Sequence, residues 1–455
     1  MVKTHAEESL GANPGDAALN PADSVAMGVP ASKVHEPAAP SRANTFRALR
    51  HRPFRLLFVA FMVNQTGFWI SHISLQGLML ELSNNDTRQN GLLFFSLFVP
   101  SFLLAPLAGV AADRFDRKRI VITCYSAVVV CTGVLAALTA AELMTPQRLL
   151  AVAMTMGVSF AFSGPASLAI AANAVPSEDL ASAVSLQSAA NNLTRVMGPL
   201  LAAPLLALGR FELSFAIYMG AALTAALLTA AMRIRHYAPD DEETGIFARI
   251  RSGLVHARER RPALPALSVV AMLSFFGVSH TVLIPAYAQD VLGSADYFAW
   301  LVAATGLGAM AGALRIGQSR RSPGLRRSAI GMIGYGIALA TFASTRHVVV
   351  ALLMQLIVGY FYFAVMTSLQ TLIQQVVDEA KRGRVMSLFQ VSWAGLVPFG
   401  SLAMGFLAGP IGTPHTLLAS SMVCLAYGVV MTLWSPQLEP QAAQRSEVEP
   451  RTAES

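Results

Sequence analysis

About twelve runs of mostly apolar residues follow one another along this chain. They lie at 55–80, 91–112, 120–141, 148–172, 183–208, 213–233, 264–288, 297–317, 328–345, 347–374, 385–409 and 415–435. A helix crossing the hydrocarbon core of a bilayer needs roughly 20 such residues. Only helices and closed barrels keep the backbone polar groups paired there. The expected fold class is therefore all-α, a polytopic membrane protein of about 12 transmembrane helices. Hydrophobic residues make up 54% of the chain and charged residues 13%, which disfavours the alternative of long buried helices in a large soluble protein.

The one long polar interruption divides the spans six and six. The expected organisation is a disordered 1–44 tail rich in Ala, Pro, Ser and Asn, a six-helix half at 45–233, a central loop at 234–262, a second half at 263–436 and a 437–455 tail. The first apolar run begins only near Leu56, too far along for a secretory signal to be expected.

The net charge of +7 raises the question of nucleic acid, but the basic residues sit in short clusters between apolar runs, which points to membrane topology. One alternate set of loops holds Arg42 to Arg55, the cluster at 114–119, Arg233 to Arg261, Arg315 to Arg327, and Lys381, Arg382 and Arg384. The other holds the isolated Arg88, Arg148, Arg210 and Arg346. Basic loops stay inside, so both termini are expected in the cytoplasm and the protein in the cell inner membrane. Cys124, Cys131 and Cys424 lie in apolar runs with no Cys-x-x-Cys spacing and read as small core residues.

Residues 175–206 align with 377–408 at a constant offset of 202, matching Ser185-Leu186 to Ser387-Leu388 and Gly198 to Gly400. At nearly the same offset the 109–119 loop falls on 311–321. Two parallel, pseudo-symmetric halves are implied, with a substrate site between them near the midplane.

The loop "GVAADRFDRKR" (109–119) resembles the signature of the major facilitator superfamily, Gly-x-x-x-Asp-Arg-x-Gly-Arg-Arg/Lys between the second and third helices. Gly109, Asp113, Arg114, Arg117 and Lys118 match, and Asp116 stands where the pattern has its second Gly. With "GFW" (67–69), "PSFLLAPLAGVAADRFDR" (100–117), the 157–187 stretch and "RVMGPLLA" (195–202), the chain from about 45 to 435 is similar to the branch of enterobactin exporters and drug:proton antiporters. The resemblance implies a rocker-switch secondary transporter. It also implies a conformational latch of Gly109, Asp113, Arg114, Arg117 and Lys118, in which Gly109 permits close helix approach and Asp113 faces the N-terminus of span eleven near Arg384. A topology anchor alone is the alternative reading. Gly198-Pro199 resembles the Gly-Pro of the antiporter motif, and Pro199 can equally kink its helix. Proton coupling comes from the resemblance only.

Polar groups inside spans face the bundle interior as a rule. Gln65, Trp69, His72 and Gln76 fall on one stripe of span one, with Asn64 beside it, and Gln187, Asn191 and Arg195 on one stripe of span five. His280 in span seven, Tyr362 and Gln370 in span ten, and Gln390 and Trp393 in span eleven complete the substrate-binding candidates. Arg195 lies near the bilayer centre with no Asp or Glu at comparable depth. Two readings stand: hydrogen bonds to Asn191 or to carbonyls beside Gly198-Pro199, or an anionic substrate. His72 and His280 are candidate proton carriers or packing residues. Trp69 and Trp393 can stack on a ring or fill a core. Gly308-x-x-x-Gly312 and Gly405-x-x-x-Gly409 read as close helix packing.

The sequence shows no Walker loop, catalytic triad or metal-ligand cluster, so neither an enzyme nor a cofactor or metal is expected. The expected protein is a monomeric exporter of an amphipathic small molecule, a siderophore or a drug, with membrane lipid around it. Import of a metabolite and a receptor without transport are the alternatives.

Overall fold

The computed structural model describes residues 46–232, 254–258, 262–317, 323–377 and 379–438. The 1–44 tail, most of the 234–262 loop and the 439–455 part of the terminal tail lie outside the described residues.

Twelve long helices, and no strand, are found among the described residues. They are α1 (Arg52–Leu82), α2 (Thr87–Leu103 continuing as Ala105–Arg114), α3 (Arg117–Ala140), α4 (Pro146–Asn173), α5 (Leu180–Ala207) and α6 (Phe211–Ala230). After the central loop come α7 (Ala263–Asp290), α8 (Tyr297–Gly317), α9 (Leu325–Ser344), α10 (Val348–Val376), α11 (Glu379–Gln390 continuing as Val397–Ile411) and α12 (Thr413–Leu438). Nine helices are long and apolar enough to cross a membrane by length and composition. The other three are α2, interrupted at Leu104 between Pro100 and Pro106; α5, loaded with Gln187, Asn191 and Arg195; and α9, which opens on Leu325-Arg326-Arg327.

Local chemistry sets the helix ends. Asp86 caps α2 through Arg88 N at 2.9 Å, and Thr145 caps α4 through Arg148 N at 3.3 Å, each satisfying a donor that the first turn leaves open. Proline occupies the first or second helical position at Pro53 and Pro146, where its missing N–H costs nothing. The α11–α12 turn passes through Gly412 at φ 85°, a left-handed conformation that a residue without Cβ adopts freely. Near its middle α7 loses regular winding, with a π turn at Leu273–Gly277 and a 3-10 stretch at Val278–Leu283. Such irregularity frees backbone carbonyls that other helices then satisfy.

Each set of six helices packs chiefly within itself. In the first, α1 lies on α5 and α6, α2 on α4, and α3 on α4 and α6; in the second, α8 lies on α10, and α9 on α10 and α12. Small residues allow the closest approaches. Gly308 and Gly312 of α8 lie against the carbonyls of Leu356 and Tyr360, and Gly359 of α10 against that of Thr305, so the first Gly-x-x-x-Gly serves packing. The repeat is visible in side-chain detail: Gly198 of α5 seats against Trp69 of α1, while Gly400 of α11 seats against Phe275 of α7.

The halves meet through α2 with α11, α5 with α8, and the end of α1 with the end of α7. The seam is tightest on the face opposite the basic loops. There Thr87 Oγ1 donates to the Gly405 carbonyl at 3.0 Å, and Asn90 Nδ2 donates to the Val282 carbonyl in the irregular part of α7 at 2.7 Å. A Cβ placed on Gly405 would stand 2.7 Å from the Thr87 carbonyl oxygen and 3.0 Å from Gly91 Cα. Farther in, Phe102 and Phe95 set their edges on Phe399, with centroids 5.5 and 5.7 Å apart. Toward the basic face, Ala105–Arg114 packs on α4 of its own half, and no heavy atom comes within 4 Å of a Cβ built on Gly109. The hydrogen bonds of Thr87 and Asn90 thus join the halves on the face opposite the basic loops.

Candidate substrate site at the seam

Four helices bring polar and aromatic groups together where the halves face one another. Helical periodicity puts Gln65, Trp69, His72 and Gln76 on one side of α1, and α5 meets that side. Gln65 Nε2 donates to Asn191 Oδ1 at 3.4 Å. One turn on, Gly198 takes the Trp69 backbone against α5, and α5 continues through Pro199 as an unbroken helix to Ala207. Gly198 therefore positions Trp69.

Arg195 stands at the centre. Its guanidinium carbon is 5.5 Å from the centroid of the Trp69 ring and 4.9 Å from that of Phe363. Trp69 belongs to the first half and Phe363, on α10, to the second, so one cation is held by a ring from each. The hydroxyl of the preceding Tyr362 accepts from Trp393 Nε1 of α11 at 2.6 Å. Arg195 hydrogen-bonds neither Asn191 nor the carbonyls beside Gly198-Pro199; Asn191 is taken by Gln65 instead. No carboxylate pairs with Arg195 among the described residues, where the ion pairs are confined to helix ends. Its Nε and the Nε1 of Trp69 are buried without a hydrogen-bond partner.

The other candidates are distributed differently. His72 is buried in a cage of rings, stacked on Phe68 at 5.4 Å and edged by Trp69, Phe94 and Phe98, and its Nδ1 has no partner. Gln76 is buried and donates to the His72 carbonyl at 3.4 Å. Asn64 is buried, whereas Gln370 and Gln390 are exposed. His280 lies inside the second half, its Nδ1 2.7 Å from the Gly277 carbonyl and 3.2 Å from the Tyr335 hydroxyl of α9. The irregular winding of α7 turns it toward its own bundle. Among the described residues no group of three His, Cys, Asp or Glu side chains could hold a metal ion.

The 109–119 charges are largely engaged with helix ends of their own half. Asp116 caps α3, accepting from Lys118 N at 2.9 Å and Arg119 N at 3.4 Å. With φ −59° it has no need of the glycine that the family pattern carries there. Arg117 Nε donates to the Ala112 carbonyl at 3.0 Å, at the end of α2. Lys118 Nζ donates to the carbonyls of Ala230 and Met232, both at 2.7 Å, at the end of α6. Cations on terminal carbonyls complement the negative end of a helix. Arg114 is exposed. The side chains of Asp113 and Arg384, and with them the expected latch to α11, lie outside the described residues. Sequence reasoning missed Phe363, an aromatic inside an apolar run with nothing to mark it, and the rings around His72.

Similarity to known proteins agrees with this architecture. A family model described as "Transmembrane secretion effector" matches residues 43–453. The staphyloferrin A transporter of Staphylococcus aureus (strain NCTC 8325 / PS 47) is 24% identical over 79% of this chain and 91% of its own length. Macrolide efflux protein A of Streptococcus pyogenes is 22% identical over 73% and 84% respectively. In fold the chain is similar to a crystal structure of a D-xylose-proton symporter, with a TM-score of 0.68 at 14% identity over 85% of this chain and 98% of that one. It is likewise similar to a bacterial homologue of the human lysosomal transporter Spinster, with a TM-score of 0.64 at 17% identity over 88% and 98%. A chain matched across nearly its whole length by this family model, and folded as two six-helix halves, belongs to the transmembrane secretion effector family of major facilitator superfamily transporters, which are not enzymes.

Proposed function

We propose that this transporter exports an amphipathic small molecule, of the siderophore or drug class, across the bacterial inner membrane by alternating access. The observation that carries the reading is the central site itself, where Trp69 and Arg195 of one half face Phe363, Tyr362 and Trp393 of the other. Rings flanking a few polar groups suit a molecule with both apolar and polar parts. Being split between the halves, the site changes shape whenever they rock. The relative named for macrolide efflux supports outward transport, and the staphyloferrin A transporter supports a small-molecule cargo.

Both termini and the basic loops are placed in the cytoplasm by the excess of Lys and Arg on that side. With that orientation, the tightly bonded end of the seam at Thr87 and Asn90 lies on the outer face, and an exporter loads from the other. The working unit is a single chain in lipid. The proton is the proposed driving ion, and His72 on α1 is its candidate carrier.

Cells expressing the protein, loaded with labelled siderophores and lipophilic drugs, should retain less of at least one compound than cells without it. The difference should vanish when the proton gradient is collapsed. Higher retention would show import, and equal retention across the set would overturn the transport reading. Lowered retention that survives collapse of the gradient would remove the proton alone.

A further inference from the structure

Arg195 is a cation in the middle of a membrane protein, and what the structure gives it is incomplete. Two rings answer its charge, but ring faces supply no acceptor for the five guanidinium N–H donors. Its Nε is buried and unpartnered, as is the indole N–H of Trp69 beside it. Acidic side chains lie only toward the ends of the described helices, at positions such as Glu81, Glu142, Glu212 and Asp290. A buried donor left without an acceptor is unfavourable, so two neighbouring unpartnered donors and an unneutralised charge beside a ring of the opposite half point to a partner of opposite charge. That partner carries negative charge and at least two acceptor oxygens.

We infer that Arg195 and the Trp69 N–H receive the carboxylate of the transported compound, while Phe363 and the Tyr362–Trp393 pair take its apolar part. A carboxylate meets the guanidinium fork through two parallel hydrogen bonds. An ammonium-bearing compound is repelled by the same charge. Because Arg195 touches a ring from each half, the bound anion sits where the halves are joined and reports directly on their relative position. The inference rests on the transport reading and narrows its substrate to organic carboxylates.

The test is a matched pair of probes, 2-naphthoate and 2-naphthamide, titrated into the purified full-length protein and followed by tryptophan fluorescence. The carboxylate should bind at least about 10-fold more tightly than the amide, equivalent to about 1.4 kcal/mol. Arg195→Gln should bring the ratio to about one, while Arg195→Lys, which keeps the charge but loses the fork, should retain part of it. Equal binding of the two probes by the parent, no binding of naphthoate, or a preference that survives Arg195→Gln would each overturn the assignment. Cellular efflux separates the two claims: loss of the preference with efflux intact removes only the carboxylate assignment, whereas a preference without efflux of any compound removes only the transport reading.

Discussion

Replacing Gly405 by Ala should push this transporter toward the state in which the basic face is closed. The added methyl would stand 2.7 Å from the Thr87 carbonyl oxygen, where ordinary contact begins at 3.4 Å. The obstacle is backbone on both sides, Thr87 and Gly91 of α2, and backbone cannot rotate away. The helices must therefore part by about 0.7 Å, the difference between those two distances. That movement stretches the 3.0 Å bond from Thr87 Oγ1 to the Gly405 carbonyl past the length at which it counts as a hydrogen bond. Overpacking of a tight contact costs about 1–3 kcal/mol and a lost hydrogen bond about 1 kcal/mol. Even about 2 kcal/mol changes the ratio of two conformations roughly 30-fold. The penalty falls on one state because α2 and α11 belong to different halves.

Spin labels on exposed residues across the seam read this out: Phe115 with Gln375 on the basic face, and Asn85 with His347 on the other. The first distance should shorten in Gly405→Ala and the second lengthen. Gly312→Ala is the control, since its methyl meets Tyr360 within the same half; it should lower the melting temperature without moving either distance. Unchanged distances in a folded Gly405→Ala protein would refute the reasoning, and so would the same shift in Gly312→Ala.

Two further outcomes follow from the close contacts. Gly198→Ala drives a methyl into Trp69 and should destabilise the α1–α5 packing by about 1–3 kcal/mol, whereas Gly109→Ala, with nothing within 4 Å, should leave the melting temperature unchanged or slightly raised. Lys118→Met removes the cation from the carbonyls of Ala230 and Met232 and should cost about 0.3–1 kcal/mol, seen as earlier melting with transport retained; a transport defect with normal melting would instead favour a latch role for Lys118.

The helices were legible because span length is fixed by bilayer thickness, and runs of that length are written along the chain. The α1 and α5 side of the site was legible for a similar reason: Gln65, Trp69, Asn191 and Arg195 repeat at helical spacing. Its other side was legible only in part, through Tyr362 and Trp393, polar groups within apolar runs. Phe363 sits in the run "GYFYFAV" (359–365), where four aromatic rings look alike until α10 is placed against the first half. Lys118 reads as part of a latch because its acceptors, 112 and 114 residues away in sequence, are defined by where α6 stops. His280 reads as a seam residue because an intact helix would carry it there; the π and 3-10 winding of α7 changes the rotation at that point, and composition does not encode that change.

The distribution of polar contacts along the seam bears on how such a protein cycles. On the closed face the bonds crossing between halves run from the short side chains of Thr87 and Asn90 to backbone carbonyls. When that face opens, water reaches both partners, so parting them exchanges one set of hydrogen bonds for another at little net cost. Arg195 is different, because it lies midway. Its Nε is already out of reach of water here, and in the occluded state between the two faces the rest of the guanidinium is as well. A charge crossing that state alone bears a penalty of about 2.5–3.5 kcal/mol on insertion scales. Two cation–π contacts of about 1–2 kcal/mol each offset much of it, and a bound carboxylate offsets more. On the carboxylate assignment, the rings of Trp69 and Phe363 therefore carry the charge when the carrier is empty, and the anion adds to them when it is loaded.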